Sequence, residues 1–150
     1  VVITGANRGI GLELARHYCQ LDYTVIGICR SSSEALDELA DMVISDIVVR
    51  SKDSINMLSD VLAETLISSD SGQKIVVLIN NAGVFMNETL DELGFDSIQT
   101  QFEINAIAPL RLTHALQSLL WEGSKVAMIT SRMGSVSDNE SGGYYGYRAS

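Results

Sequence analysis

The chain opens VVITGANRGIGLELARHYCQL, residues 1–21, and this stretch decides the fold. VVITG (1–5) is an apolar, β-branched run that ends in glycine, the pattern of a buried strand. IGLELARHYCQL (10–21) places apolar residues at helical spacing. Between them lies Thr4-Gly5-Ala6-Asn7-Arg8-Gly9-Ile10-Gly11. A glycine turn that leads from a strand into a helix sets free backbone N–H groups where a phosphate meets the helix N-terminus. Gly5 suits a tight turn, Gly9 lets a pyrophosphate approach the backbone, and Gly11 lets the helix pack close to the sheet. Glycines alone are weak evidence, because turns use them everywhere. Behind an opening strand they point to a nucleotide.

The same alternation continues along the chain. Further strands are expected at 24–30, 41–49, 74–83 and 125–131, and helical stretches at 31–40, 52–69 and 95–121. Strands alternating with helices mean βαβ units, hence a doubly wound parallel α/β sheet in three layers. One domain over 1–150 is expected, with no linker or repeat. Such sheets bind ligands beyond the carboxyl ends of their strands, where the winding reverses. The polar clusters fall at those ends: Asp46-Ile47, Asn80-Asn81-Ala82-Gly83, and Thr130-Ser131-Arg132.

Composition narrows the function. The net charge of −9 argues against a nucleic-acid partner, and no basic stripe is present to neutralise phosphates. The longest apolar runs, such as KIVVLI (74–79), are far too short to span a membrane as a helix. Cys19 and Cys29 are too few for a disulfide scaffold and read as thiols of a cytoplasmic protein. His17 and His114 lack metal-ligand company, so no metal is expected. The chain starts at Val1, inside a strand, and a trimmed N-terminus is expected.

The spacing G-x-x-x-G-x-G behind Thr4, with Asn80-Asn81-Ala82-Gly83 closing the fourth strand, resembles the classical short-chain dehydrogenase/reductase family. The run from Ser131 to Ser150 looks most like its C-factor-like and carbonyl-reductase-like members. The resemblance covers essentially the whole chain. It implies a Rossmann fold and a nicotinamide cofactor held by Gly5, Asn7, Arg8, Gly9, Ile10 and Gly11. It implies that Asp46 and Ile47 lie by the adenine, and that Asn81, Ala82 and Gly83 border the cofactor. It also implies three catalytic groups: Ser131 to polarise a carbonyl, Tyr147 as general acid, and Asn105 to hold a water in a proton relay. Ser135 is a rival for the serine role.

Physical arguments refine two of these roles. NAD binders place an acid about 20 residues past the glycines to hold the ribose 2′-OH. Here the second strand ends in Arg30 and three serines, and a guanidinium there pairs with a 2′-phosphate that a carboxylate would repel. Arg8 is a second cation in reach, so the cofactor is read as NADP. Pro109 lies four residues after Asn105 and crowds its carbonyl. That carbonyl is expected to leave the helical ladder and to be free for water.

The chain ends SGGYYGYRAS (141–150), with three tyrosines to choose from. Free tyrosine has a pKa near ~10 and needs help at neutral pH. In the family this chain resembles, a lysine four residues later, one helical turn on, supplies it by lowering the phenol's pKa. Tyr145 is followed four residues on by Ala149, and Tyr144 by Arg148, which stays charged and cannot relay a proton. Tyr-Arg-Ala-Ser resembles the family's Y-x-A-S-K, so Tyr147 is the expected acid, with its lysine just past Ser150. The chain is therefore expected to be a piece of a longer one that lacks the later strands and the substrate loop. The expected activity is hydride transfer between NADPH and a small carbonyl or alcohol, in a homo-oligomer. The alternative is an NADP-binding signalling or sensor protein without turnover.

Overall fold

A computed structural model describes residues 1–67, 73–138 and 141–150. Its strands are β1 (Val2–Thr4), β2 (Ile26–Ile28), β3 (Met42–Ile44), β4 (Ile75–Asn80) and β5 (Leu120–Met128). Its α-helices are α1 (Gly9–Gln20), α2 (Glu34–Asp37), α3 (Lys52–Ile67), α4 (Phe95–Phe102), α5 (Ala108–Ala115) and α6 (Tyr145–Ala149). All strand pairs are parallel and the sheet order is β3-β2-β1-β4-β5. The winding reverses between β1 and β4, where Val2 pairs with Ile26 on one side and Leu78 on the other. Loops leaving these two strands therefore face each other across the switch point.

Side-chain alternation along the strands builds the three layers. Val2, Ile28 and Leu78 point to a core shared with Ile55, Leu58, Leu62 and Leu66 of α3 and with Leu112 and Leu116. Their neighbours Ile3, Cys29 and Ile79 point to the opposite core, against Ala15 of α1 and Leu36 of α2. The buried residues of α3 recur at steps of three and four, the stripe its sequence displays. No helix among the described residues is long and apolar enough to cross a membrane.

Several boundaries move. The stretch 41–49 is strand only over Met42–Ile44, because Asp46 takes a left-handed φ of 62° and turns the chain. Helix α2 is a single turn, capped by the Ser33 hydroxyl, which accepts from Leu36 N–H at 3.3 Å. The last two residues of the helix expected over 52–69 lie outside the described ones. The long helix expected over 95–121 is instead α4, a π turn (Glu103–Ile107), α5 and a 3-10 turn (Gln117–Leu119). The π turn ends two residues before Pro109, whose ring crowds the Asn105 carbonyl and forbids regular α-helical closure there. Leu120 and Trp121 belong to β5, not to a helix. Their strand carries an irregularity: Ile75 pairs with Leu120 but Val77 with Lys125. The Ser124 hydroxyl holds this bend, accepting from Trp121 N–H (2.8 Å) and donating to the Ile75 carbonyl (2.7 Å).

Candidate active site

The turn after β1 is stitched to the turn after β4. Thr4 Oγ1 accepts from the N–H groups of Asn81 and Ala82, each at 3.0 Å, and Asn81 Nδ2 donates to the carbonyls of Thr4 (2.9 Å) and Gly5 (3.2 Å). Asn81 therefore spends its amide on scaffolding while bordering the cleft. A Cβ on Gly11 would lie 2.2 Å from the Gly5 carbonyl oxygen and 2.5 Å from Asn81 Nδ2. A Cβ on Gly9 would meet nothing within 4 Å, and the residue has a left-handed φ of 54°. The turn is thus packed solid at Gly11 and open at Gly9, the face a phosphate would approach.

Above it lies a cleft of ≈ 950 Å³. It is lined by Gly5, Asn7, Arg8, Gly9, Ile10, Gly11, Arg30, Ile47, Asn81, Ala82 and Gly83. Asp46 does not line it; this residue is exposed, and its carboxylate accepts from the Ser45 hydroxyl. Arg8 and Arg30 are exposed, and neither joins an ion pair among the described residues. Val48, Val49, Arg50, Val84 and Ile104 also form the wall and were not foreseen. The third strand was expected to end at Asp46-Ile47, and the left-handed turn at Asp46 carries the chain on so that Val48, Val49 and Arg50 reach the cleft. Arg50 is paired with Glu103 at 3.8 Å. Cys29 lines the wall too, and burial pushes its thiol pKa up, so it stays protonated and inert at neutral pH.

Asn105, Ser131 and Tyr147 are not part of the cleft wall. Asn105 and Tyr147 are tied to the segment that follows its Gly83–Val84 end. Asn105 lies in the π turn, and its side chain grips Val84: Oδ1 accepts from the N–H and Nδ2 donates to the carbonyl, both at 2.9 Å. Nδ2 also donates to Ser150 Oγ (3.0 Å), whose own hydroxyl donates to the Tyr147 carbonyl (3.3 Å). One side chain thus ties the cleft to the helix that carries Tyr147. The Tyr147 ring packs edge-on against Phe85, the residue after Val84, with centroids 4.7 Å apart at 80°. Tyr144 stacks on the same ring at 5.0 Å.

Ser131 follows β5, which pairs with β4, and opens a 3-10 turn (Arg132–Gly134). Its Oγ accepts from Met133 N–H at 3.2 Å, and a hydroxyl that accepts still has its proton to donate. The rival Ser135 is exposed and bonded to Ser137. Arg148 reaches back to the carbonyls of Gly143 (3.2 Å), Met133 (3.3 Å) and Asp138 (3.1 Å), and to Ser141 Oγ (2.9 Å). It staples the connecting segment to α6.

A parallel, doubly wound sheet with a glycine turn at its switch point defines the class: a Rossmann-fold α/β protein. The family model for short chain dehydrogenase matches residues 1–150, and the chain belongs to that family. It is 35% identical over 150 residues to the 1-hydroxy-2-glutathionyl-2-methyl-3-butene dehydrogenase of Rhodococcus sp. (strain AD45), covering all of this chain and 64% of that protein. It is 46% identical over 77 residues to C-signal of Myxococcus xanthus, covering 49% of this chain and 46% of that one. The crystal structure of NADPH-bound carbonyl reductase from chicken fatty liver superposes with a TM-score of 0.84 at 27% identity, covering 99% of this chain and 66% of that chain. The chain thus spans just under two thirds of the Rhodococcus relative and of the carbonyl reductase.

Proposed function

We propose that the protein transfers hydride between NADPH and a carbonyl or alcohol, with Tyr147 as the acid–base group. The observation that carries this is the open face at Gly9, in a cleft over the switch point that extends to Gly83 and Val84, the residue before the Phe85 that packs on Tyr147. The residues present fit a dinucleotide: backbone approach at Gly9, apolar walls from Ile10 and Ile47, and, for a 2′-phosphate, Arg8 and Arg30, which form no ion pair among the described residues. NADPH, when bound, supplies the hydride. The Ser131 hydroxyl donates to the substrate oxygen, and Tyr147 delivers the proton that completes the alcohol. Asn105, whose side chain bonds both Val84 and Ser150, is placed between the cleft and α6 to hold a water in the proton relay. Oxidation of NADPH followed over a panel of aldehydes, ketones and diketones tests the reading; no turnover on any of them counts against it.

The cofactor preference has its own test. Arg30→Asp is expected to weaken NADPH binding by about 10–100-fold, the loss of a charge-assisted contact to phosphate. NADH affinity should change by less than about threefold, because the carboxylate meets only hydroxyls there. Equal losses for both, measured by fluorescence titration, would remove Arg30 from the 2′-phosphate.

The likeness to C-signal favours a second reading, a nucleotide-binding signalling protein of the same fold. NADPH binding with no turnover on the panel would select it. A homo-oligomer is also proposed, because Phe95, Phe102, Ile107 and Leu110 on the α4–α5 arm are exposed apolar residues, Leu110 at 70%. A monomer in sedimentation velocity would rule that out. The two cysteines outside any disulfide fit a cytoplasmic location, which fractionation of cells tests directly.

A further inference from the structure

Glu88 is a carboxylate with 2% exposure, outside the cofactor cleft and unused by the chemistry above. A buried carboxylate persists only where donors converge on it. Here they do. Oε1 accepts from Ser97 Oγ (3.0 Å) and from Gln101 Nε2, both on α4. Oε2 accepts from the backbone N–H of Gly146 (3.3 Å), the residue before Tyr147. The Glu88 carbonyl accepts from Tyr144 N–H at 2.8 Å. Tyr144 itself sits at a left-handed φ of 55°, a conformation a tyrosine keeps only when its surroundings hold it.

Gln101 is fully buried and completes the link, its Oε1 accepting from Met86 N–H at 3.0 Å. There is no slack against α6: a Cβ on Gly146 would lie 2.5 Å from Gln101 Nε2 and 3.0 Å from Glu88 Oε1. Among the described residues, no cation forms an ion pair with Glu88. Its partners are two α4 side chains and the first turn of α6, so the carboxylate reports one thing, the height and rotation of that turn on α4.

We propose that Glu88 and Gln101 are positioning residues for Tyr147. They set the start of α6 so that the phenol stands at the Val84–Phe85 end of the cleft. This deepens the reading of Tyr147 as acid–base group and rests on it. Glutamine at position 88 would oppose an N–H donor to either Gly146 or Gln101, and α6 would shift. A displacement of about 1 Å at a reacting group costs on the order of 100-fold in rate.

In the complete protein, Glu88→Gln is expected to lower kcat by about 10–100-fold. NADPH affinity should stay within about threefold, because the glycine turn is untouched. The pH profile of kcat/KM should shift, since the proton donor has moved. Gln101→Met breaks the same link without altering the carboxylate, should reproduce the pattern, and decides the matter should Glu88→Gln not fold. A purely structural role predicts a lowered Tm with unchanged kcat and pH profile, or matched losses in kcat and NADPH binding; either overturns the proposal. If Tyr147→Phe keeps full activity, the acid–base reading itself falls. If Tyr147→Phe is inactive while both link variants turn over normally, only the positioning role falls.

Discussion

Replacing Tyr147 by phenylalanine is expected to lower kcat by about 10²–10⁴-fold, the usual weight of a positioned general acid. NADPH should bind with unchanged affinity. The substitution deletes one oxygen and keeps the ring that packs edge-on against Phe85 at 4.7 Å, so α6 and the Asn105–Ser150 link should persist. The loss is therefore chemical, and it should appear in kcat and kcat/KM alike, the mark of an interaction made only in the transition state. Steady-state kinetics on any accepted carbonyl, paired with an NADPH titration, measures both arms. Wild-type kcat in Tyr147→Phe would move the proton to another donor. Tyr144 would be the first to examine, because it shares the Phe85 ring.

Gly11→Ala should be the most damaging single-methyl change at the glycine turn. Its Cβ would stand 2.2 Å from the Gly5 carbonyl oxygen and 2.5 Å from Asn81 Nδ2. The first neighbour is backbone and cannot rotate away. Relief requires α1 to lift from β1 and Asn81 to release the carbonyls of Thr4 and Gly5, which unpicks the seam between the two loops. Overpacking of this kind costs about 1–3 kcal/mol or more. NADPH binding should be lost with it, since the seam shapes the cleft floor. Gly9→Ala gives the contrast. It meets no atom and costs about 1–2 kcal/mol for a left-handed residue, yet it places a methyl where the pyrophosphate is proposed to lie. Urea unfolding beside NADPH titration should separate them: stability and binding fall together in Gly11→Ala, whereas binding falls further than stability in Gly9→Ala. Wild-type stability in Gly11→Ala would mean that α1 does not pack as closely as described.

What the sequence disclosed follows from how local its causes are. The strand, turn and helix of residues 1–20 are set by side-chain period and by glycines at three positions, so they were legible at once. The switch point was legible because β1 and β4 each end in a distinctive polar turn. The break in the 95–121 helix was half legible. Pro109 announced a disturbance at Asn105, but a π turn and an amide clamped to Val84 depend on a partner 21 residues away. Arg50, Val48 and Val49 were hidden because only the left-handed turn at Asp46 brings them to the cleft. Glu88 was the least legible. In ETLDEL (88–93) it looks like one more solvated acid, and nothing in the sequence shows that α4 and α6 close over it.

The most direct measurement is a crystal structure of the NADPH complex. The account predicts the pyrophosphate against the backbone at Gly9, the 2′-phosphate between Arg8 and Arg30, and the nicotinamide at Gly83–Val84 within reach of the Tyr147 hydroxyl. A nicotinamide lodged elsewhere, or a cleft still empty at saturating NADPH, would contradict it.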